Sequence, residues 1–273
     1  MPYQKLNGIT CYYEDAGMGE PVLFIHGLGA DADSWKWQIP WFAHRNRVIT
    51  FDLRGHGRSS KPPGTYGIDQ FAGDTAALIK TLELPPVHVV GISLGGMIAM
   101  QLALDFPALV RSLVLVNTVA DTRLNTWKNR WIYYNRLCLV RCLGMETLGW
   151  IIARRLFPEP DQKAVRREFI RHCANNDKKA YMATVKAIAG WSVIHRLHEI
   201  RVPVLVLAAD HDYTPLEIKQ SYTGRMQWAE LRIVHHSRHG TPVDQPGAFN
   251  RVVSDFLEKV SNSHPGYTPH PEY

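Results

Sequence analysis

Short apolar runs alternate with periodic stretches along the first 118 residues of the chain. The runs are rich in β-branched residues and are bounded by Gly, Pro or Asp, which is typical of buried strands. They occupy residues 21–27, 46–52, 86–93 and 111–117. Between them, residues 68–84 and 97–107 carry apolar side chains at helical spacing. The alternation predicts an α/β fold with a mainly parallel central sheet and helices on both faces.

The first residues of the chain follow a different pattern. Residues 3–15 resemble two short strands separated by Asn7-Gly8, a dipeptide that favours tight hairpin turns. We therefore expect a hairpin at the start of the chain, before the parallel strands.

The strand pattern stops after residue 118 and returns at 202–210 and 230–236, followed by a helical pattern at 246–260. The simplest organisation is an α/β core (1–118 and 200–260) that is interrupted by a helical insertion at 119–199. The end of the chain, 261–273, is polar and rich in Pro, and we expect it to be disordered.

The insertion is rich in aromatic residues, and it holds four of the eight tryptophans. These are Trp127, Trp131, Trp150 and Trp191. We expect most of the aromatic side chains to form the insertion's own small core, with one or two lining a substrate pocket.

The composition is that of an ordinary globular protein, with 45% hydrophobic and 21% charged residues. The chain does not begin with a basic stretch followed by an apolar core, so we expect no signal peptide. It has no long uncharged apolar run, so we expect no membrane span. The four cysteines form no CxxC pair, so we expect reduced, mostly buried thiols in a cytoplasmic protein and no metal site. They are Cys11, Cys138, Cys142 and Cys173.

The net charge of +6 is unevenly distributed. Residues 121–200 hold 15 Lys and Arg against 7 Asp and Glu, whereas the rest of the chain holds 16 against 18. The excess is either a solvated helical surface or an attraction for an anionic small-molecule substrate. No aromatic-interleaved or helix-turn-helix pattern indicates binding to nucleic acid.

The first candidate for chemistry is the stretch Gly91-Ile92-Ser93-Leu94-Gly95, between a predicted strand and a predicted helix. A serine on such a sharp turn is exposed above the sheet, and glycines two residues away on each side avoid collisions with neighbouring elements. The start of the helix offers free N–H groups to a developing oxyanion. The spacing predicts that Ser93 is a nucleophile.

A serine needs a base, and the order expected after this motif is an acid followed by a histidine. The loop after residue 209 offers Asp210 and Asp212. Near the end of the chain stand His235, His236 and His239. His239 lies three residues into a turn and is favoured, whereas the other two histidines lie at the edge of a strand.

Five motifs together make the chain resemble the α/β-hydrolase fold family over about residues 8 to 260. They are PVLFIHGLGADADSW (21–35), FDLRGHGRSS (51–60), GISLGG (91–96), PVLVLAADHDYTP (203–215) and SRHGTPVDQPGAFN (237–250). The family's Gly-x-x-Asp pattern after the seventh strand maps onto Ala209–Asp212, which favours Asp212 as the acid. In the family a glycine often precedes the catalytic histidine, and here Arg238 stands before His239.

The resemblance also implies roles for the loops near the serine. The backbone N–H groups of Leu28 and Leu94 would form the oxyanion hole. His26 and three residues of the 51–60 motif are expected to form hydrogen bonds within tight loops; they are Asp52, Arg54 and His56. Some family members carry the acid after strand six, where Asn117 stands here, so Asp121 is an alternative acid.

The resemblance is to serine esterases and enol-lactone hydrolases with a helical cap. It implies a Ser93–His239–Asp212 triad that cleaves a small carboxylic ester or lactone through an acyl-enzyme, without a cofactor or metal. C–C bond hydrolases and cofactor-free perhydrolases share the triad and are alternatives, as are interfacial lipases. A ligand-binding receptor on the same fold is an alternative of another class.

Overall fold

The computed structural model of the chain describes residues 2–262. Its strands are β1 (Tyr3–Leu6), β2 (Ile9–Ala16), β3 (Glu20–Ile25), β4 (Asn46–Phe51), β5 (Val87–Ile92), β6 (Val110–Val116), β7 (Val204–Ala209) and β8 (Ala229–Val234). They form one sheet in the order β1-β2-β4-β3-β5-β6-β7-β8, in which only β2 pairs antiparallel with its neighbours β1 and β4. The predicted α/β fold class is confirmed.

The hairpin predicted at the start of the chain is present. Leu6 pairs with Ile9, and the two residues between them have positive φ angles of 44° at Asn7 and 76° at Gly8. Such angles give the turn a twist that matches its strands, and Asn and Gly adopt them at little cost.

The central strands are buried on both faces, which explains their continuous apolar sequences. Successive side chains alternate between the faces, so Leu23 and Ile25 pack in one apolar cluster while Val22 and Phe24 pack in another. The first cluster also includes residues of the helices that follow β4 and β5, and the second includes the last helix of the described chain.

The helices are α1 (Ile39–Phe42), α2 (Ile68–Thr81), α3 (Leu94–Asp105), α4 (Trp127–Leu156), α5 (Lys163–Ala174), α6 (Lys178–Ile188), α7 (Leu216–Thr223), α8 (Thr241–Asp244) and α9 (Pro246–Asn262). Short 3₁₀ turns occur at 32–35, 107–109, 160–162 and 197–199. The helix α9 continues two residues beyond the predicted end at 260, and residues 263–273 of the predicted tail lie outside the described part of the chain.

Helices α4, α5 and α6 lie between β6 and β7 in the chain, within residues 119–199, which we call the helical segment. Its two ends are joined by a short antiparallel bridge between Asp121 and Ser192. Helix α4 is broken at Gly144, whose φ of 81° and ψ of −179° are not helical. A small apolar cluster of its own includes Val140 of α4 and Val185 of α6.

The expectation that most aromatic residues of the helical segment form its own core is wrong. Trp127 is 87% exposed and Trp131 63% exposed, because successive aromatic residues of α4 point in several directions and only one side of the helix packs inward. The buried rings of Phe157 and Tyr181, and the half-buried ring of Phe169, instead line a cavity.

The cysteines are all free, as expected, but only Cys11 and Cys173 are buried, whereas Cys138 and Cys142 are exposed on α4. Across residues 2–262, we find no helix with both the length and the apolar character needed to cross a membrane.

Candidate active site

Ser93 lies at the junction of β5 and α3. Its φ of 54° and ψ of −113° are an unusual combination for a residue with a side chain, so the chain turns abruptly from strand to helix at this point. The turn is held by two hydrogen bonds, from Ser93 N to the Val116 carbonyl (2.9 Å) and from Thr118 Oγ1 to the Ser93 carbonyl (2.7 Å). Ser93 is half-buried and lines a cavity.

The two flanking glycines are required by close approaches of the backbone. A Cβ atom on Gly91 would lie 2.3 Å from the Gly95 carbonyl oxygen, and one on Gly95 would lie 2.1 Å from the Ile25 carbonyl oxygen. Any larger residue would force β5, α3 or β3 to move. The spacing of the glycines around Ser93 therefore follows from the tightness of the turn.

His239 and Asp212 meet although they are 27 residues apart in the chain. His239 Nδ1 lies 2.8 Å from Asp212 Oδ1, and the Asp212 carboxylate is inaccessible to solvent. Burial by itself would raise the pKa of Asp212, but the contacts with His239 and then with Lys219 outweigh it and hold that pKa below its usual value. The carboxylate is therefore ionised and orients the imidazole.

The second oxygen of Asp212 is bound by a buried lysine. Lys219 Nζ of α7 lies 2.6 Å from Asp212 Oδ2 and donates a further hydrogen bond of 2.8 Å to the Thr214 carbonyl. Both side chains have 0% exposure, so the pair is desolvated. The sequence contains little that points to Lys219, because its only signal is a charged residue seven positions after Asp212.

The serine and the histidine line one cavity of about 280 Å³ between the carboxyl end of the sheet and the helical segment. Most of its lining is apolar, with side chains such as Met97, Ile152 and Leu156. Such a cavity suits a small organic molecule, with polar groups confined to a few positions.

Comparisons with known proteins agree with this architecture. The model of the α/β hydrolase fold family matches residues 20–136. The chain is 30% identical over 245 residues to 3-oxoadipate enol-lactonase 2 of Acinetobacter baylyi, covering 88% of this chain and 89% of that one. It is 33% identical over 253 residues to the putative carbamate hydrolase RutD of Variovorax paradoxus, covering 89% and 93%.

The crystal structure of the enol-lactonase from Burkholderia xenovorans LB400 superposes with a TM-score of 0.87 at 26% identity, covering 94% of this chain and all of that one. The chain belongs to the α/β-hydrolase fold family. The resemblance stated from the five motifs is thus confirmed.

The two amides expected at an oxyanion hole of this family stand beside Ser93. Leu94 is the first residue of α3, so its N–H has no acceptor within the helix. Leu28 lies in a turn after β3, in which Ala30 N donates to the Gly27 carbonyl (3.2 Å), and it lines the same cavity as Ser93. Their role in stabilising an oxyanion stays a prediction.

Tyr213 is a neighbour of His239 that the sequence did not suggest. The two rings stack with centroids 4.2 Å apart at 28°, and Tyr213 Oη lies 2.8 Å from His239 Nε2. The Tyr213 hydroxyl is thus within hydrogen-bonding distance of the imidazole nitrogen that does not contact Asp212. Within residues 2–262, no hydrogen bond joins Ser93 Oγ to His239, and Nε2 is paired with the Tyr213 hydroxyl.

Asn117, at the end of β6, holds the loops of the acid and the base together. Its Oδ1 accepts a hydrogen bond from Ala209 N (2.8 Å), and its Nδ2 donates to the His239 carbonyl (3.0 Å). On the other side of the histidine loop, Asp244 accepts a hydrogen bond from Arg238 N (2.7 Å). These bonds fix the loop in which Arg238 stands at a position where the family often has glycine.

The alternative acids and bases lie in other networks. Asp210 accepts hydrogen bonds from the backbone N–H groups of His236 and Ser237 at 2.9 and 3.0 Å, and the side chain of His235 is 74% exposed. Asp121 pairs with Arg123 at 2.7 Å. His235 Nδ1 does lie 3.4 Å from Asp210 Oδ2, but this second acid–histidine pair is largely exposed. The pair of His239 and Asp212 is shorter and buried, and His239 lines the cavity that Ser93 lines.

The buried polar residues of the neighbouring loops form hydrogen bonds, as expected. His26 Nε2 accepts a hydrogen bond from Leu53 N at 3.0 Å, and burial lowers the pKa of His26, so the ring is neutral. Asp52 accepts hydrogen bonds from Ala32 N and Arg58 N, both at 2.7 Å. Arg54 pairs with buried Asp74 at 2.7 Å, and burial lowers the pKa of His56 to about 3.

Proposed function

We propose that the protein is a serine hydrolase that cleaves small carboxylic esters or lactones, with Ser93 as nucleophile, His239 as base and Asp212 as the orienting acid. The prediction of a hydrolase acting on ester bonds is confirmed by the enol-lactonase and hydrolase relatives. The observation that carries the proposal is the 2.8 Å contact between His239 and desolvated Asp212 beside the cavity that Ser93 lines.

The first half of the reaction forms an acyl-enzyme. Ser93 Oγ attacks the acyl carbon while its proton passes to His239 Nε2, and Asp212 stabilises the imidazolium. The N–H groups of Leu28 and Leu94 hold the tetrahedral oxyanion, with about 3 kcal/mol expected from each donor. The C–O bond then breaks, and the proton on Nε2 passes to the leaving oxygen.

The second half regenerates the enzyme. A water molecule loses a proton to Nε2 and attacks the acyl carbon, and the returning proton restores the Ser93 hydroxyl as the carboxylic acid leaves. For a lactone, the alcohol released in the first half stays attached to the acyl group until this step. Nε2 must accept the proton of Ser93 in this reaction, so the Tyr213 hydroxyl must give up its 2.8 Å contact with Nε2 when the substrate binds.

We also propose that the helical segment is a cap over this site. Three observations support this role: its ends are joined by the Asp121–Ser192 bridge, it has an apolar cluster of its own, and its side chains line the cavity opposite Ser93. It contacts the core through the 2.6 Å ion pair of Lys36 with Glu168.

The decisive experiment compares two serines that line the same cavity. We expect Ser93→Ala to reduce the kcat/KM for 4-nitrophenyl acetate by at least roughly 10⁴-fold and to abolish labelling by a fluorophosphonate. Ser34, whose hydroxyl donates to the Asp31 carbonyl at 2.6 Å, is the matched control, and Ser34→Ala should still be labelled.

Labelling of the Ser93→Ala variant would overturn the assignment of the nucleophile. A panel of esters, lactones, carbamates and vinylogous diketones separates ester hydrolysis from C–C bond cleavage on the same residues. Multiple turnovers per molecule distinguish an enzyme from a ligand-binding receptor, because a receptor would stop after a single labelling event. A rate increase above the solubility limit of the substrate would indicate interfacial lipase activity.

A further inference from the structure

Among the lining residues in the described part of the chain, Arg136 is the one fixed positive charge and none is Asp or Glu. Arg136 belongs to α4 and lines the cavity together with Ser93 and His239. Across residues 2–262, no carboxylate forms an ion pair with Arg136. A guanidinium stays charged at every pH at which a protein is folded, so a half-buried cation without a counterion faces an otherwise apolar space.

Beside Arg136 lies the buried hydroxyl of Tyr181, which contacts the guanidinium but has no acidic partner within residues 2–262. Tyr181 of α6 is 2% exposed, lines the same cavity, and its Oη has no partner of ordinary hydrogen-bond geometry. Burial raises the pKa of Tyr181, and the charge of the Arg136 guanidinium and its contact with the hydroxyl counteract this rise. A guanidinium has several donors and the hydroxyl can still donate while it accepts from Arg136, so the two groups together lack an anionic acceptor.

We propose that Arg136 and Tyr181 bind a carboxylate of the substrate, so that the preferred substrates are esters or lactones whose acyl part carries a second, free carboxylate. This inference rests on the proposed function. A guanidinium presents several N–H donors in a planar fork that matches a carboxylate, and the Tyr181 hydroxyl adds one more donor. The apolar side chains that line the same cavity, such as Leu156, suit a short methylene spacer between the ester carbonyl and the free carboxylate.

The test uses two substrates that differ in charge but have similar length: the 4-nitrophenyl monoester of adipic acid and 4-nitrophenyl heptanoate. We expect the wild-type protein to favour the anionic ester in kcat/KM by roughly 10- to 100-fold, the size associated with a hydrogen bond to a charged group. Arg136→Gln should abolish that preference and change the value for the neutral ester by less than about threefold. Tyr181→Phe should reduce the preference by a smaller factor.

Arg141→Gln is the matched control, because Arg141 is an exposed arginine of the same helix that does not line the cavity. It should leave the preference unchanged. Arg136→Lys keeps the charge but not the fork, and an intermediate preference is expected. Equal values for the two esters in the wild-type protein, or equal losses on both in Arg136→Gln, would overturn the inference.

A binding measurement separates this inference from the proposed reaction. Calorimetric titration of adipate into Ser93→Ala should show binding at neutral pH, and the Ser93→Ala/Arg136→Gln double variant should bind at least tenfold more weakly. If the wild-type protein hydrolyses neither ester but adipate binds through Arg136, the reaction is wrong and the carboxylate site stands. If the esters are hydrolysed through Ser93 and adipate binds both variants equally, the carboxylate site is wrong and the reaction stands.

Discussion

The α/β core and the helical segment hold their side chains in opposite ways. In the core, the residues proposed for catalysis are fixed by short contacts from several directions, such as those of Asp212 with His239 and Lys219. In the helical segment, large apolar side chains such as Trp127 are mostly exposed, and Arg136 has no carboxylate partner within residues 2–262. Under the functions proposed above, the core would set the chemistry and the segment would select the substrate.

The largest effect is expected from removing the charge of Asp212, which tests whether the reaction depends on the contacts of that carboxylate in the core. Asp212→Asn keeps the shape but loses the charge that orients His239 and pairs with Lys219, so we expect kcat/KM for a neutral ester to fall by roughly 10⁴-fold. Asp210→Asn is the control, since Asp210 contacts backbone N–H groups at the far side of the loop, and its loss should stay below about tenfold. Similar losses in the two variants would break the distinction between the carboxylates.

A pair of identical substitutions compares the packing of the two regions. Leu205 of β7 is 0% exposed, whereas Leu143 of α4 is 54% exposed. We expect Leu205→Ala to lower the free energy of unfolding by about 3 kcal/mol, because it leaves a cavity in the core. Leu143→Ala should change it by less than about 0.5 kcal/mol. Urea unfolding curves measure both, and a large loss for Leu143→Ala would mean that α4 packs more tightly than its exposure indicates.

The break in α4 is tested by two glycine substitutions of opposite expected sign. Gly144 has a backbone conformation that is costly for any other residue, so Gly144→Ala should destabilise the protein by about 1–2 kcal/mol, although space is open around it. Gly73 lies within α2 with similar open space and no positive φ, so Gly73→Ala should stabilise it by about 0.5–1 kcal/mol. Thermal unfolding distinguishes the two, and a stabilising Gly144→Ala would show that α4 tolerates straightening.

The smallest effect concerns a contact between the regions that depends on pH. The hydrogen bond from His172 of α5 to Asp31 (3.1 Å) raises the pKa of His172 above its usual value. The stabilisation that this contact gives the folded protein is complete below about pH 6.5, the pKa of a histidine in the unfolded chain. It is lost as the pH rises through the raised pKa of His172 in the folded protein.

We therefore expect the wild-type protein to lose about 0.5–1 kcal/mol of stability between pH 6 and pH 9 through this contact, an amount typical of a partly exposed ion pair. The free energy of unfolding of the His172→Gln variant should fall by less over the same pH range, as measured by urea unfolding at pH 6 and pH 9. An identical pH dependence in the variant would show that His172 does not connect the regions.

The sequence predicted the core more fully than the helical segment. The strands and the hairpin are marked by β-branched runs and by Asn7-Gly8, because local chemistry determines them. Boundaries were less accurate: α2 ends at Thr81 rather than at 84, and α3 begins at Leu94 rather than at 97. Helix ends depend on backbone hydrogen bonds that apolar spacing does not record.

The sequence likewise predicted some residues of the candidate site and not others. Ser93, Asp212 and His239 could be named from motifs, because the tight turn and the loop order leave a trace in the sequence. Lys219, Tyr213 and Arg136 could not be, because their roles depend on contacts across the fold. The sequence also does not predict that aromatic rings of α4 are exposed, because a helix with rings on several sides has no single apolar face.

The hydrogen bonds of Asn117 have a practical consequence for anyone who redesigns this protein. One amide group at the end of β6 connects the strand that leads to Asp212 with the loop that carries His239. Libraries for new selectivity should therefore diversify the residues of α4 and α6 that surround the cavity and keep position 117 constant. We expect a change at that position to move Asp212 and His239 together, so an altered selectivity would be mixed with a loss of the geometry proposed for catalysis.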